Sequence, residues 1–262
     1  MSKKYNADLK TTGAVLEDSL RILKRLYELK SINTLEVELF ENNLLLKASK
    51  RRIENEYGSI KKRYLLDANE HDISGYPLLL AIQHMSKEEA FFILYYHLCL
   101  SDKLLYDFVS EIVFTRYIKG FLGVSNSEAE GFLLSSSETH DEMQNWSERT
   151  YRDLKTALIT VLLETGFLKN RRNPVFDESL YISNRVFGYL LYSNKKSIRT
   201  LDDVYSHNDF KIFLQDQQQR KLMIKELENS GVIHLEEQKE IKINYMFESL
   251  KEFVVHYVIG ED

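Results

Sequence analysis

The sequence predicts a mainly helical protein, in which a helical amino-terminal domain is followed by winged-helix-like α+β modules with short β-hairpins. Three observations support this fold class. The chain has only two prolines and ten glycines in 262 residues, so few residues interrupt a helix. Apolar residues recur at helical spacing through the first half. In the second half, a helix followed by glycine and then by alternating apolar residues occurs twice, which is typical of a helix leading into a hairpin.

Helical spacing predicts four helices before residue 70. The first is expected over residues 13–29 and is followed by a short second helix. A third helix is expected to run from about Leu44 to Gly58, and a fourth to begin at Lys61. Glycine is a poor helix former, so we expect the chain to break at Gly58.

The most apolar part of the chain lies between residues 90 and 118. Ser86 with Glu89 has the spacing of a capping box, which predicts a helix starting at Lys87, and we expect Ser101 to cap the next helix. Five ionisable side chains lie in this stretch, and each would cost about 2.5 to 3.5 kcal/mol at the centre of a bilayer. A membrane span is therefore disfavoured.

Glycines and a polar run after residue 119 suggest a domain boundary. We predict a helical domain at residues 1–123, which includes the basic residues between 47 and 63. A first winged-helix-like module is predicted at 124–195. A second one, at 196–262, ends in a carboxy-terminal helix.

The first module is expected to contain short helical stretches at residues 127–143 and a longer helix at 147–165. Gly166 would end that helix in a left-handed conformation. The apolar pair 167–168 and the apolar residues 180–182 are then expected to form the two strands of a hairpin.

The second module repeats this order. Short helical stretches are expected at residues 201–214 and a longer helix at 217–230, ended by Gly231. The hairpin strands are expected at 232–235 and 241–245. Three glutamates against two lysines in this hairpin predict repulsion of DNA, so we interpret the second module as a docking or scaffolding unit.

A cationic segment stands out in an acidic chain. Residues 47–63 carry seven cations and two acids, so +7 − 2 = +5, whereas the whole chain carries −5 and the remainder therefore −10. The seven cations are Lys47, Lys50, Arg51, Arg52, Lys61, Lys62 and Arg63. The first hairpin tip adds Lys169, Arg171 and Arg172. A local positive field on a negative body attracts polyanions to one face, which indicates nucleic acid. The alternative is a solvated helix face whose cations balance neighbouring acids.

Motifs for catalysis and metal binding are absent from the sequence. It contains no GxxxxGK[ST], GxGxxG, HExxH or CxxC, and no two histidines stand three or four residues apart. Cys99, the only cysteine, lies in an apolar run and is expected to be buried. We therefore predict a protein that is not an enzyme and has no metal or cofactor. The amino terminus lacks a secretory signal, which favours the cytoplasm.

The order of several short motifs resembles the BrxA family, accessory proteins of bacterial BREX phage-resistance systems. The similar residues include an opening signature, the cationic segment, an Asp-Phe pair and a W-S-x-x-T block that ends in a helix cap and a strand. They are Tyr5, Leu9, Thr12, Gly13, Leu16, Glu17, Ser19, Asn43, Leu44, Arg52, Ile53, Lys62, Arg63, Tyr64, Leu65, Asp107, Phe108, Trp146, Ser147, Glu148, Thr150, Leu154, Leu162, Glu164, Gly166, Phe167 and Leu168. The resemblance covers about residues 5–190.

This resemblance implies a cytoplasmic, non-enzymatic, mainly helical protein that binds DNA and supports BREX defence, with other BREX components as candidate partners. The family's helical fold is also similar to that of NusB antitermination proteins, including a helix-turn-helix-like amino-terminal domain, which keeps RNA as an alternative partner.

The leading hypothesis is binding of double-stranded DNA, largely independent of base sequence, through phosphate contacts by the cations named above. A protein-interaction or scaffold subunit, docking through the second module, is one alternative. RNA binding in the manner of NusB is another, and no membrane partner is expected.

Overall fold

The computed structural model describes residues 4–68, 72–237 and 239–261. Within these ranges α-helices dominate, and the β structure consists of two small antiparallel two-stranded sheets. The prediction of a mainly helical fold with short hairpins is confirmed.

The helices and strands are numbered in chain order. The helices are α1 (Leu9–Thr12), α2 (Leu16–Leu29), α3 (Ile32–Phe40), α4 (Lys50–Tyr64), α5 (Pro77–His84), α6 (Lys87–Ser101), α7 (Lys103–Asp107), α8 (Phe114–Ile118), α9 (Asn126–Ser137), α10 (Glu148–Glu164), α11 (Asn184–Ser193), α12 (Leu201–Ser206), α13 (Gln217–Asn229) and α14 (Leu250–Phe253). Residues Phe108–Val113 and Val254–Ile259 form π-helical turns, and Ile73–Gly75, Asp141–Met143 and Asn208–Phe213 form 3₁₀ turns. The strands are β1 (Leu168–Lys169), β2 (Val175–Phe176), β3 (Ile233–Glu237) and β4 (Ile241–Tyr245).

Helix α4 differs from the sequence prediction. It begins at Lys50, after a loop, and continues unbroken through Gly58 to Tyr64, so the predicted break is wrong. Gly58 lies on the exposed side, whereas Tyr57 and Ile60 on either side of it are buried in the core. Packing of these side chains outweighs the cost of glycine in a helix, which is about 1 kcal/mol.

The predicted cap is correct for α6 and wrong for α7. Ser86 and Glu89 form the predicted capping box at the start of α6. The next helix is capped by Asp102 and not by Ser101, because the Asp102 Oδ1 accepts a hydrogen bond from the Leu105 N–H at 3.0 Å. Ser101 instead donates to the Leu98 carbonyl at 2.9 Å. Cys99 is buried, as predicted.

The first module contains α9, α10 and the β1–β2 hairpin. Gly166 adopts φ +82° after α10, as predicted. The returning strand is β2 and not residues 180–182, because Leu168 pairs directly with Phe176 across a short turn. The Phe176 N–H also donates to the Leu122 carbonyl at 2.8 Å, which places an extended segment beside β2. At the neighbouring Gly123, an added Cβ would lie 2.1 Å from the Pro174 carbonyl oxygen, so only glycine permits this approach.

The second module has the same order of elements. Helices α12 and α13 lead through Gly231, at φ +68°, into the β3–β4 hairpin. The Ile243 N–H in β4 donates to the Arg199 carbonyl at 2.8 Å, so an extended segment again lies beside the second hairpin strand. In both modules, therefore, the chain before the first helix pairs with the returning strand.

The three predicted segments share one hydrophobic core. Phe213 of the last segment lies against Phe92 and Tyr95 of α6 and against Phe167 of the first module, with ring centroids 5.6 to 6.2 Å apart. The carboxylate of the buried Asp209 accepts hydrogen bonds from the Tyr96 hydroxyl, at 2.8 Å, and from the Tyr106 hydroxyl, at 2.7 Å. Three independent domains stay a prediction, to which we return in the Discussion.

Candidate nucleic-acid interface

The amino-terminal turn of α4 carries two exposed cations. Ser49 caps the helix, since its Oγ accepts a hydrogen bond from the Arg52 N–H at 3.4 Å. Lys50 and Arg51 follow directly and point into solvent. In the described ranges, neither has an acidic oxygen within 4 Å. Both are therefore available to an external anion.

Lys47 and Arg52 are already neutralised by internal carboxylates. The Lys47 Nζ lies 2.5 Å from the Asp18 Oδ2 and 3.3 Å from the buried Glu56 carboxylate. The Arg52 Nε donates to the other oxygen of Glu56 at 2.9 Å, and this contact raises the pKa of the Arg52 guanidinium. These four side chains form one ion-pair network between α2 and α4.

The carboxyl-terminal half of α4 is neutralised in the same way. Lys61 pairs with Glu36 at 3.1 Å, and Lys62 pairs with Asp8. Arg63 is buried and donates to the Thr12 Oγ1 at 3.1 Å and to the Ala14 carbonyl at 3.3 Å. It fastens the segment after α1 to α4. Neighbouring acids thus balance four of the seven cations, as the alternative interpretation expects. Arg63 has a structural role.

A groove of about 310 Å³ adjoins the two free cations. It is lined by Thr11, Thr12, Ser49, Arg51, Arg52, Asn55 and Glu56. Hydroxyl, amide and guanidinium groups donate hydrogen bonds to phosphate oxygens, and a helix start favours negative charge. The two threonines were missed by sequence reasoning because α1 reaches α4 only through tertiary packing, whereas Asn55 lies in α4 four residues after Arg51 and could have been found from helical spacing.

The tip of the first hairpin carries the second predicted group of cations. Asn170, at φ +63°, turns the chain, and its Oδ1 accepts a hydrogen bond from the Arg172 N–H at 3.3 Å. Lys169 lies 3.5 Å from Asp177. Arg171 and Arg172 are exposed and have no acidic oxygen within 4 Å among the described residues.

Glu164 is a carboxylate that is affected by cations of both the first hairpin tip and α4. Burial raises the pKa of Glu164, while a hydrogen bond from the Leu16 N–H and the charges of Arg171 and Arg63 oppose that rise. The Arg171 charge and the Arg63 charge therefore act on one carboxylate. Glu164 is the last residue of α10, so both charges act at the carboxyl-terminal end of that helix.

Helix α10 presents its amino-terminal end beside the same segment. The Lys10 Nζ donates to the Thr150 Oγ1 at 2.9 Å, which joins α1 to the start of α10. Arg149 and Arg152, which lie one residue before and two residues after Thr150, are exposed. Arg149 lies 3.5 Å from Asp153. The start of α4, α1 and the start of α10 thus follow one another across the molecule.

The described residues contain no group of three histidine, cysteine, aspartate or glutamate side chains arranged to hold a metal ion. Over the same ranges, no helix combines the length and the apolar character needed to cross a membrane.

Comparison with known proteins identifies relatives for most of the chain. The family model described as BrxA matches residues 3–194. A curated protein of Bacillus cereus (strain H3081.97), named BREX protein BrxA, is 24% identical over 95 residues, which cover 36% of this chain and 48% of that protein. The chain thus matches about half the length of this curated relative.

A solved structure shares the fold at low identity. The crystal structure of an uncharacterized protein from Magnetospirillum magneticum superposes with a TM-score of 0.62 and 17% identity. The match covers 81% of this chain and 99% of that one. At this identity the likeness concerns the fold alone.

Proposed function

The chain belongs to the BrxA family, and from this premise we propose that it is a non-enzymatic DNA-binding accessory protein of a bacterial BREX phage-defence system. It binds double-stranded DNA through phosphate contacts, and its place of action is the cytoplasm.

The observation that supports DNA binding is that four of the ten predicted cations are exposed and have no ion pair in the described ranges. They are Lys50, Arg51, Arg171 and Arg172. Two of them lie at the start of α4 and two at the tip of the first hairpin, on a chain whose charge outside residues 47–63 sums to −10. A duplex is thereby attracted to this face and repelled from the rest.

The first module supplies a shape that fits a duplex. We interpret α9, α10 and the β1–β2 hairpin as a winged helix. In this interpretation the start of α10 faces a groove of the DNA duplex, and the hairpin tip contacts the phosphate backbone of the DNA. Contacts to phosphate position a protein without reading base sequence, so binding is largely independent of sequence.

Salt dependence tests the number of phosphate contacts. Each neutralised phosphate adds about 0.9 to the slope of log affinity against log salt. Four free cations give a slope of about −3.6 and a loss on the order of a hundredfold between 50 and 200 mM salt. Fluorescence anisotropy with a labelled 20-base-pair duplex measures it. A slope near −1 would contradict phosphate contacts by these four residues.

A quadruple variant tests which cations make the contacts. We expect Lys50→Ala, Arg51→Ala, Arg171→Ala and Arg172→Ala together to weaken duplex binding on the order of a hundredfold at 100 mM salt, because each contact is lost without disturbing the fold. The matched control neutralises four other exposed cations at the second module: Lys196, Arg199, Lys221 and Lys225. Equal losses of duplex affinity in both variants would contradict the assignment of the phosphate contacts to these four cations.

Competition distinguishes DNA from the alternative RNA partner. A structured RNA hairpin and an unlabelled duplex are added at equal nucleotide concentration to the protein bound to labelled duplex. We expect the duplex to compete at lower concentration. Stronger competition by RNA would indicate that the same cations bind RNA, as the NusB-like alternative expects.

A further inference from the structure

A groove on the side of the molecule towards α6 is not used by the proposed DNA interface. It has a volume of about 570 Å³ and lies between the start of α6, the end of α10 and the loop after β2. Its apolar lining comes from Phe91, Leu163, Leu180 and the exposed Tyr181. This size is typical of sites that take up several side chains or a small ligand.

The polar rim of this groove is acidic. It carries Glu88, Glu164 and Asp177 against Lys87. Lys87 is itself paired with Glu17 at 2.7 Å. With both ion-pair partners included, Glu17 of Lys87 and Lys169 of Asp177, the rim has four acids and two cations, so it remains negative and attracts a cationic group.

Two of the rim carboxylates remain available to a ligand. Asp177 is occupied, since its Oδ1 accepts hydrogen bonds from the Ser179 N–H at 3.0 Å and the Ser179 hydroxyl at 2.7 Å. Glu88 is exposed and has no hydrogen bond or ion pair in the described ranges.

Glu164 is the second available carboxylate. The charges of Arg171 and Arg63 act on it, but it has no ion pair within 4 Å among the described residues. Its side chain is exposed at the edge of the groove, so the carboxylate is accessible to a ligand. An additional cation at this carboxylate would therefore be stabilising.

From the charge and lining of this groove we propose that it is a docking site for a partner protein, and that it takes a segment in which an arginine stands beside leucine or another large apolar side chain. The guanidinium pairs with Glu88 and Glu164, and the apolar side chain packs on Phe91, Leu180 and Tyr181. This inference goes beyond DNA binding, and the residues that would contact the peptide are not among the four cations of the proposed DNA interface.

Peptides of defined composition test this proposal. Methyl NMR signals of Leu163 and Leu180 are followed while acetyl-Leu-Arg-Leu-amide is added to the full chain at millimolar concentration. We expect saturable shifts of both signals. Acetyl-Leu-Gln-Leu-amide, which lacks only the charge, should bind at least tenfold more weakly. Equal binding of the two peptides, or no saturable shift with either, would overturn the proposal.

Variants test which carboxylates are used. Glu88→Gln with Glu164→Gln should weaken binding of the arginine peptide at least tenfold, since glutamine keeps the shape of the side chain and removes only its charge. Glu237→Gln, an exposed change on the second hairpin, is the matched control and should have no effect. Unchanged binding in the double variant would overturn the role of these carboxylates. Saturable shifts of Leu163 and Leu180 with a deoxythymidine oligonucleotide would assign the groove to nucleic acid instead.

Discussion

At the scale of single residues, the acidic neighbours of a cation decide whether it is available to an external anion. Sequence counting identifies seven cations between residues 47 and 63. Glu56 lies in the same segment, four residues after Arg52, so that pair could be expected from helical spacing. Asp18, which binds Lys47, is 29 residues away and becomes a partner only when the loop before α4 folds against α2.

Asp102 makes a further prediction at this scale. It is buried, and burial raises the pKa of its carboxyl to about 6 from an ordinary value near 3.8. Because the folded protein holds this proton more tightly than the unfolded chain, Asp102 lowers the free energy of unfolding as pH rises from about 4 through 6. Above that range the full cost, about 3 kcal/mol at most, applies.

Replacing Asp102 with asparagine removes this cost while keeping the oxygen that caps α7. We expect Asp102→Asn to raise the free energy of unfolding by about 1 to 3 kcal/mol at pH 7.5. The gain should shrink as pH is lowered toward 4. Urea denaturation at several pH values measures it, and a gain that is the same at all of them would contradict the explanation.

At the scale of elements, packing overrides local preference in α4. The sequence rule that glycine ends a helix holds at Gly166 and Gly231, where φ is positive, and fails at Gly58 inside α4. The rule fails because residues on both sides of Gly58 are anchored in the core, whereas Gly166 and Gly231 are followed by strands.

Two glycine substitutions should therefore have opposite effects. Gly58 is exposed, and nothing lies within 4 Å of an added Cβ, so Gly58→Ala should raise the free energy of unfolding by about 0.5 to 1 kcal/mol. Gly123→Ala is the contrasting change and should lower it by more than about 1 kcal/mol, because its Cβ would meet the Pro174 backbone. Chemical denaturation compares the two. Destabilisation by Gly58→Ala would show that α4 is not continuous there.

At the scale of the whole molecule, residues 196–262 contribute to the common core. They lie beyond the part matched by the family model, yet Phe213 packs on α6 and Asp209 binds two tyrosines of the amino-terminal helices. The sequence pattern of the second module was visible as a helix, glycine and hairpin, but its attachment to the first half left no local signal.

Truncation tests whether this segment is an independent domain. We expect a chain ending at residue 195 to lose cooperative unfolding or to aggregate, because Phe92, Tyr95 and Phe167 would be exposed to water. Phe213→Ala in the full chain is the milder variant and should cost about 3 to 5 kcal/mol. A truncated chain that is soluble and unfolds cooperatively would instead support the predicted boundary at 195.

Local pattern was sufficient for the mainly helical class, for the caps at Ser86 and after α10, and for the second hairpin, because apolar spacing and glycine position act over a few residues. It also located the positive charge. Long-range packing determined the rest: it brought Asp8 and Asp18 to the cations of α4 and its preceding loop, brought the charge of Arg63 to Glu164, and left Lys50, Arg51, Arg171 and Arg172 free. Ion pairing depends on distances across the fold, and spacing along a chain does not contain them.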